Sequence, residues 1–219
     1  MDTPILVIGN KNYSSWSLRP WIFMKQNNIA FTEKRIALFS ETTDEELSEY
    51  RSDNKVPVLK DNDLLVWDSL SILEYLSEKY LKSTGWPLDP AARAVARSVS
   101  SEMHSSFLNV RTELPMNCRK KFQNIQLSPE AEREVERIKT LWQQCRSQFG
   151  SNGEWLFGKY SIADAMFAPI ALRFEGYGIH LGGVEKSYIN SVLNQPGIIE
   201  WINASKTETE IISADEIKQ

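Results

Sequence analysis

Cysteine and histidine are scarce: the 219 residues hold two of each, Cys118 and Cys145, His104 and His180. The cysteines lie far apart and form no CxxC pair. Neither a disulfide framework nor a dithiol redox site is expected, and a reducing, cytoplasmic setting fits. Two histidines leave too few ligands for a typical metal site, so none is expected. No apolar run approaches the ~18 residues of a membrane helix, so no membrane partner is expected. The first nine residues hold only a short apolar run, PILVIG, with no basic leader or cleavage site. It reads as a first strand rather than a signal peptide. There is no lysine or arginine run, and the formal charge is -4 with a pI near 5.4. Nonspecific nucleic-acid binding is therefore not expected.

The stretch from Asn54 to Tyr80, NKVPVLKDNDLLVWDSLSILEYLSEKY, carries the most information. Pro57 sits at the mouth of an apolar strand, where a residue without an N–H marks an edge or a special turn. It pushes Val56 toward an extended conformation and makes a cis Val56–Pro57 bond accessible. The backbone of Val56 is then open to pair with an extended peptide. Asp68-Ser69 opens a helix whose apolar face carries Ile72, Leu73, Leu76 and Tyr80. A helix start offers unpaired N–H groups and a positive dipole end, which suit a carboxylate. A peptide-pairing edge beside a carboxylate-binding helix end fits a small peptide ligand.

The surrounding pattern is strand (4–9), helix (18–28), strand (31–37), short acidic helix (43–50), then hairpin and helix. It implies a small mixed sheet covered by helices over residues 1–82. Residues 83–90, with Gly85, Pro87 and Pro90, read as a linker. Strand signals vanish over 91–219. One long amphipathic helix is expected from Ala91 to Asn117, ended or kinked by Pro115. Ser128-Pro129 starts another helix. Ser161 and Asp164 form a capping-box pattern ahead of an apolar, buried helix, Ala163–Phe174, with a kink expected at Pro169. Two short helices follow, and the acidic tail from Thr207 is expected to pack loosely.

Pro20 suits a first helical turn. This favours a helix capped near Ser17, with the hydroxyls of Ser14 and Ser15 in the loop before it, free to face a ligand; helix capping is the alternative use of these serines.

Several motifs resemble those of cytosolic glutathione S-transferases, in the same order. Ser14-Ser15-Trp16-Ser17-Leu18-Arg19 resembles the S-S-C-S-x-R loop of zeta-type members, and Val56-Pro57-Val58-Leu59 the family's cis-proline segment. Asp68-Ser69 resembles its Glu/Gln-Ser pair, and Ser161 to Asp164 the capping box before its core helix. The resemblance covers nearly the whole chain and is strongest to a bacterial branch. It implies a thioredoxin-like N-terminal domain followed by an all-α helical domain. It also implies a homodimer, and an enzyme that takes glutathione as co-substrate and adds its thiol to a small electrophile. Glutathione-dependent isomerase or peroxidase work, and noncatalytic ligand or protein binding, are the alternatives.

By that resemblance Ser14 is the first choice for the thiol-facing hydroxyl, Ser15 the second and Tyr13 the third. Lowering a thiol pKa by ~2 units from ~8.5 takes roughly 2.7 kcal/mol of preferential thiolate stabilisation. One charge-assisted hydrogen bond plus a helix dipole supplies about that much. The Val56 backbone, next to Pro57, would pair with the cysteinyl part of glutathione. Asp68 would take the γ-glutamyl ammonium, Ser69 and the helix N–H groups its carboxylate. Lys55 is a candidate for the glycyl carboxylate. The electrophile would lie between the units, near Trp16, His104, Phe107 and Arg111, with Arg111 meeting an anionic substrate. Glu102 is a candidate to cross a dimer interface. Trp16 replaces the zeta-type cysteine, which counts against maleylacetoacetate isomerase activity.

Overall fold

The computed structural model describes residues 3–217. The amino-terminal unit runs β1 (Ile5–Ile8), α1 (Ser15–Gln26), β2 (Thr32–Arg35), α2 (Thr43–Ser48), β3 (Val58–Asp61), β4 (Leu64–Trp67) and α3 (Ser69–Leu81). The sheet order is β2-β1-β3-β4, with β1 parallel to β2 and antiparallel to β3. A parallel pair needs a crossover, which α1 supplies. Strand alternation divides β1 between two cores. Leu6 and Ile8 join the main core, while Val7 packs with Ile36, Leu47, Tyr50 and Val58 on the other face. This is the thioredoxin-like unit that the sequence implied.

The rest is helical: α4 (Pro90–Ser105), α5 (Leu108–Glu113), α6 (Pro129–Phe149), α7 (Ile162–Gly176), α8 (Gly183–Leu193) and α9 (Pro196–Ser205), with a 3-10 turn at Ser213–Asp215. Helix α7 is buried along nearly its whole length and packs on α1, α4 and α8. It runs through Pro169 without interruption. At its start the Asp164 carboxylate accepts from the N–H and hydroxyl of Ser161 and from the N–H of Leu156. The apolar core is continuous from Leu6 and Ile8 through Leu18 and Ile22 to Phe167 and Trp201.

Three expectations need correction. The long helix over 91–117 is two helices, because Ser106 is extended and Phe107 is left-handed at φ 63°. Arg111 turns back to donate to the carbonyls of Met103, His104 and Ser106, which the break leaves without helical partners. Helix α1 starts at Ser15 with Ser14 as its cap, so Pro20 lies inside the helix rather than in its first turn. The acidic tail packs closely. Glu208 accepts from the N–H groups of Lys11 and Asn12 at 2.7 and 3.0 Å, and Glu216 from the Tyr13 hydroxyl at 2.6 Å. Arg119 holds the tail by donating to the carbonyls of Glu208 and Glu210 and to the Tyr13 hydroxyl. Acidic composition suggested solvation, but here Glu208, Glu210 and Glu216 meet N–H, hydroxyl or ammonium donors.

Arg119→Met should therefore loosen the tail. The expected loss is about 2 kcal/mol in urea unfolding, with faster amide exchange over residues 207–216. Unchanged exchange there would show that the tail is held by something else.

Candidate functional site

A cavity of about 680 Å³ opens where the β1–α1 loop, the 38–44 segment and residues 54–56 meet the helical unit. Tyr13, Ser14, Ser15, Trp16, Lys55 and Val56 line it from the first unit; Arg111, Met116, Arg173, Ile212 and Asp215 line it from the second. The Val56–Pro57 bond is cis. Among the described residues, neither the N–H nor the C=O of Val56 has a hydrogen-bond partner. Gly9 allows the end of β1 to lie close to this segment: a Cβ there would stand 3.2 Å from Val56 Cγ2 and 2.5 Å from Leu38 Cδ1.

The serines sit at the positive end of α1. The Ser14 oxygen accepts from Ser17 N–H at 3.4 Å, and its hydroxyl donates to Ser17 Oγ at 2.7 Å. Ser17 Oγ in turn accepts from Gly9 N–H at 3.1 Å. Ser15 Oγ accepts from Arg173 Nη2 at 3.3 Å. The Tyr13 hydroxyl is already committed, donating to Glu216 and accepting from Arg119. Burial and the Glu216 carboxylate raise its pKa further. Burial pushes both cysteine thiols up to about 12, so neither is a ready nucleophile.

Pro57, Asp68, Ser69, Glu102, His104 and Phe107 lie outside the cavity lining. Asp68 caps its own helix: Oδ1 accepts from the N–H groups of Leu70 and Ser71 at 3.0 and 3.1 Å. Its Oδ2 meets His104 Nε2 at 2.5 Å, joining α3 to α4. Burial raises the Asp68 pKa, but His104 and the Ser71 N–H outweigh it and leave the carboxyl below its usual range. Ser69 is fully buried and accepts from Arg19 Nη1 at 3.2 Å. Two of the N–H groups at the start of α3, those of Leu70 and Ser71, are thus taken by the chain's own Asp68. Phe107 is buried in the core. Phe107 thus faces the core while Arg111, one turn on, lines the cavity. Glu102 pairs with Arg137 of its own chain at 2.8 and 2.9 Å. Lys55 pairs with Asp53 in solvent.

Two residues escaped the sequence reading. Arg173 lies in the apolar helix α7 and Arg19 in α1, 7% and 2% exposed. Arginine is seldom so buried unless paired, and a lone arginine in an apolar helix was the available signal. The Arg19 and Arg111 guanidiniums lie over the Trp16 ring, 4.3 and 4.8 Å from its centroid. His104 meets the same ring edge-on at 5.3 Å.

Residues 13–79 match the family described as glutathione S-transferase, N-terminal domain. Over nearly the full length, the chain superposes on a glutathione transferase homolog from Burkholderia gl BGR1 with bound glutathione. The TM-score is 0.70 at 19% identity, covering 94% of this chain and 98% of the other. The amino-terminal unit thus resembles that domain, and the whole chain takes the glutathione transferase fold. Dichloromethane dehalogenase of Methylophilus leisingeri is 39% identical over 66 residues, 29% of this chain and 25% of the relative. The chain therefore spans only a quarter of that relative's length. A stringent starvation protein A homolog from Pasteurella multocida is 24% identical over 196 residues, 84% of this chain and 87% of the relative. Among the described residues no group of three or more His, Cys, Asp or Glu side chains is arranged to hold a metal ion, and no helix is long and apolar enough to cross a membrane.

Asp68→Ala should remove both the α3 cap and the His104 contact, costing about 1–2 kcal/mol in urea unfolding; Asp68→Asn keeps a capping oxygen and should cost less. The folded carboxyl pKa is lowered, so its stabilisation is complete above the unfolded value of ~3.9 and fades as pH falls through the folded value. The wild-type advantage over Asp68→Asn should shrink only below about pH 4. An advantage independent of pH would rule out a stabilising Asp68 carboxylate.

Proposed function

We propose that the protein is a glutathione transferase that binds glutathione in this cavity, holds its thiol as thiolate and adds it to a small electrophile. The observation that carries this reading is the unpaired backbone of Val56, which lines the cavity with both serines of the α1 start. An extended cysteinyl segment paired with Val56 would bring its sulfur toward Ser14 and Ser15. To reach the sulfur, the Ser14 hydroxyl turns from Ser17 Oγ. That exchanges a neutral hydrogen bond for a charge-assisted one, roughly twice as strong. Ser15 is the alternative donor, its oxygen steadied by Arg173. The glycyl carboxylate falls to Lys55 and the γ-glutamyl ammonium to Asp68 Oδ2, competing with His104. Trp16 in place of a cysteine counts against isomerase work at the same site.

A second reading, a noncatalytic ligand-binding protein on the same fold, is favoured by the self-capped α3 and the buried Ser69. Thiolate titration of bound glutathione by ultraviolet absorbance separates the two. Wild type should give a thiol pKa about 2 units below the free value of ~8.5. Ser14→Ala should keep glutathione bound and return the pKa most of the way. A shift lost only in Ser15→Ala reassigns the donor, and bound glutathione with an unshifted thiol supports the binder.

A homodimer in the cytoplasm belongs to the same proposal. Leu64 and Trp67 on edge strand β4, 46% and 54% exposed, offer apolar surface for it. Sedimentation velocity should give twice the 25.1 kDa chain mass; a monomer at micromolar concentration would remove the dimer from the reading.

A further inference from the structure

Two guanidiniums, Arg111 and Arg173, line the helical side of the cavity, and a third, Arg19 of α1, rests with Arg111 on the Trp16 ring; none has an ion-pair partner among the described residues. Their hydrogen bonds go to neutral acceptors. Arg19 donates to Ser69 Oγ, Arg111 to three main-chain carbonyls, and Arg173 to Leu114 O at 2.7 Å and to Ser15 Oγ. The Nη1 groups of Arg111 and Arg173 have no acceptor among the described residues, and both side chains line the cavity. Burial, then the neighbouring guanidiniums, pulls the Arg19 pKa well down, and burial followed by Arg111 brings Arg173 to about 10. Four acids are near enough to matter. Glu134 acts on Arg111 but accepts from the Asn109 amide and the Val110 N–H. Asp68 has both oxygens engaged elsewhere, Asp44 lies on the exposed opposite wall, and Asp215 beside Arg173 is itself driven toward its neutral form by burial. A buried cation without a counter-charge is costly, and such clusters in clefts mark sites for charged ligands.

We propose that the second substrate carries a carboxylate, or an anionic group of like size, seated between Arg111 and Arg173 beside Ser15. This rests on the glutathione reading above. The arginines belong to α5 and α7, across the serines from Val56, so the peptide edge and the anion seat are separate parts of one cavity. Met116 and Ile212, both buried, supply an apolar wall for the body of the electrophile. A carboxylate there accepts from both free Nη1 groups and ties the electrophile to the serine end of the site. Glutathione's own carboxylates are the rival occupants, and the test separates them.

Two product analogues differ only in the group on sulfur: S-carboxymethylglutathione and S-carbamoylmethylglutathione. Calorimetric titration of both, and of glutathione, is made on wild type, Arg111→Gln, Arg173→Gln and Arg173→Lys. Wild type should bind the carboxylate analogue roughly tenfold more tightly than the amide, the difference of one charge-assisted hydrogen bond. Either glutamine variant should erase most of that preference, while glutathione affinity changes less than about threefold. Arg173→Lys should retain part of it. Because Arg173 is buried and anchors Leu114 O, Arg111→Gln carries the test if Arg173→Gln does not fold. Equal binding of the two analogues, with glutathione still bound, overturns this inference alone. Glutamine variants that weaken glutathione as much as the carboxylate analogue overturn it by assigning the arginines to glutathione. No binding of glutathione by the wild type overturns both readings.

Discussion

Helix α1 is buried on almost every side, between the sheet and α3 on one flank and α7 on the other. A helix enclosed in this way cannot shift without disturbing two cores. Its amino-terminal end is tied again by Ser17 Oγ to Gly9 N–H, at the end of the central strand. Ser14, Ser15 and Trp16 inherit that rigidity, so their positions relative to Val56 are set by packing rather than by loop preference. The tail completes the enclosure from outside: Glu208 and Glu216 satisfy donors of the same β1–α1 loop. Chemistry that needs a hydroxyl fixed near a sulfur gains from such support, because misplacement of even an ångström is costly.

The start of α3 is pre-arranged in a different sense. Asp68 has φ 74° and ψ 131°, a region sparsely used by non-glycine residues, at a cost of order 1–3 kcal/mol. Its three hydrogen bonds, two to its own helix and one to His104, offset that strain. They also occupy two N–H groups of that helix end, those of Leu70 and Ser71. An incoming ammonium, by contrast, can share Oδ2 with His104 without opening the cap. This favours recognition of the γ-glutamyl end through its positive group.

Much of the architecture could be read from pattern alone. The strand-helix alternation of the first eighty residues, the proline at the mouth of β3, and the serine and aspartate caps of α3 and α7 are local signals, and local signals survive folding. The failures share one cause: they were properties of distant pairs. The apolar periodicity over 91–117 continues across Ser106 and Phe107, so it could not reveal a break that Arg111 stabilises by reaching back to the carbonyls of the preceding helix. Grouping Phe107 with His104 and Arg111 assumed the unbroken helix; Phe107 joins the core, while His104 and Arg111 still meet at the Trp16 ring. The tail's acidity suggested solvation because Arg119 and the amides of Lys11 and Asn12 are about ninety and two hundred residues away. Tyr13 looked available until its partners from the tail were in view.

Trp16 is the residue whose meaning changes most. As a departure from a cysteine-bearing loop it was a subtraction, a nucleophile lost. In the fold it is a surface on which two arginines rest. Each such contact is worth roughly 0.5–2 kcal/mol, more when desolvated. The ring's negative faces lie between cations whose mutual repulsion is otherwise weakly compensated. A cysteine at this position would offer neither area nor quadrupole, and the buried guanidiniums would then require a carboxylate from the chain itself. Such a carboxylate would fill the cavity's cationic wall. By accommodating the charges without neutralising them, Trp16 leaves the outward Nη1 of Arg111 available, so the residue that counts against cysteine chemistry also suits the anion seat proposed above.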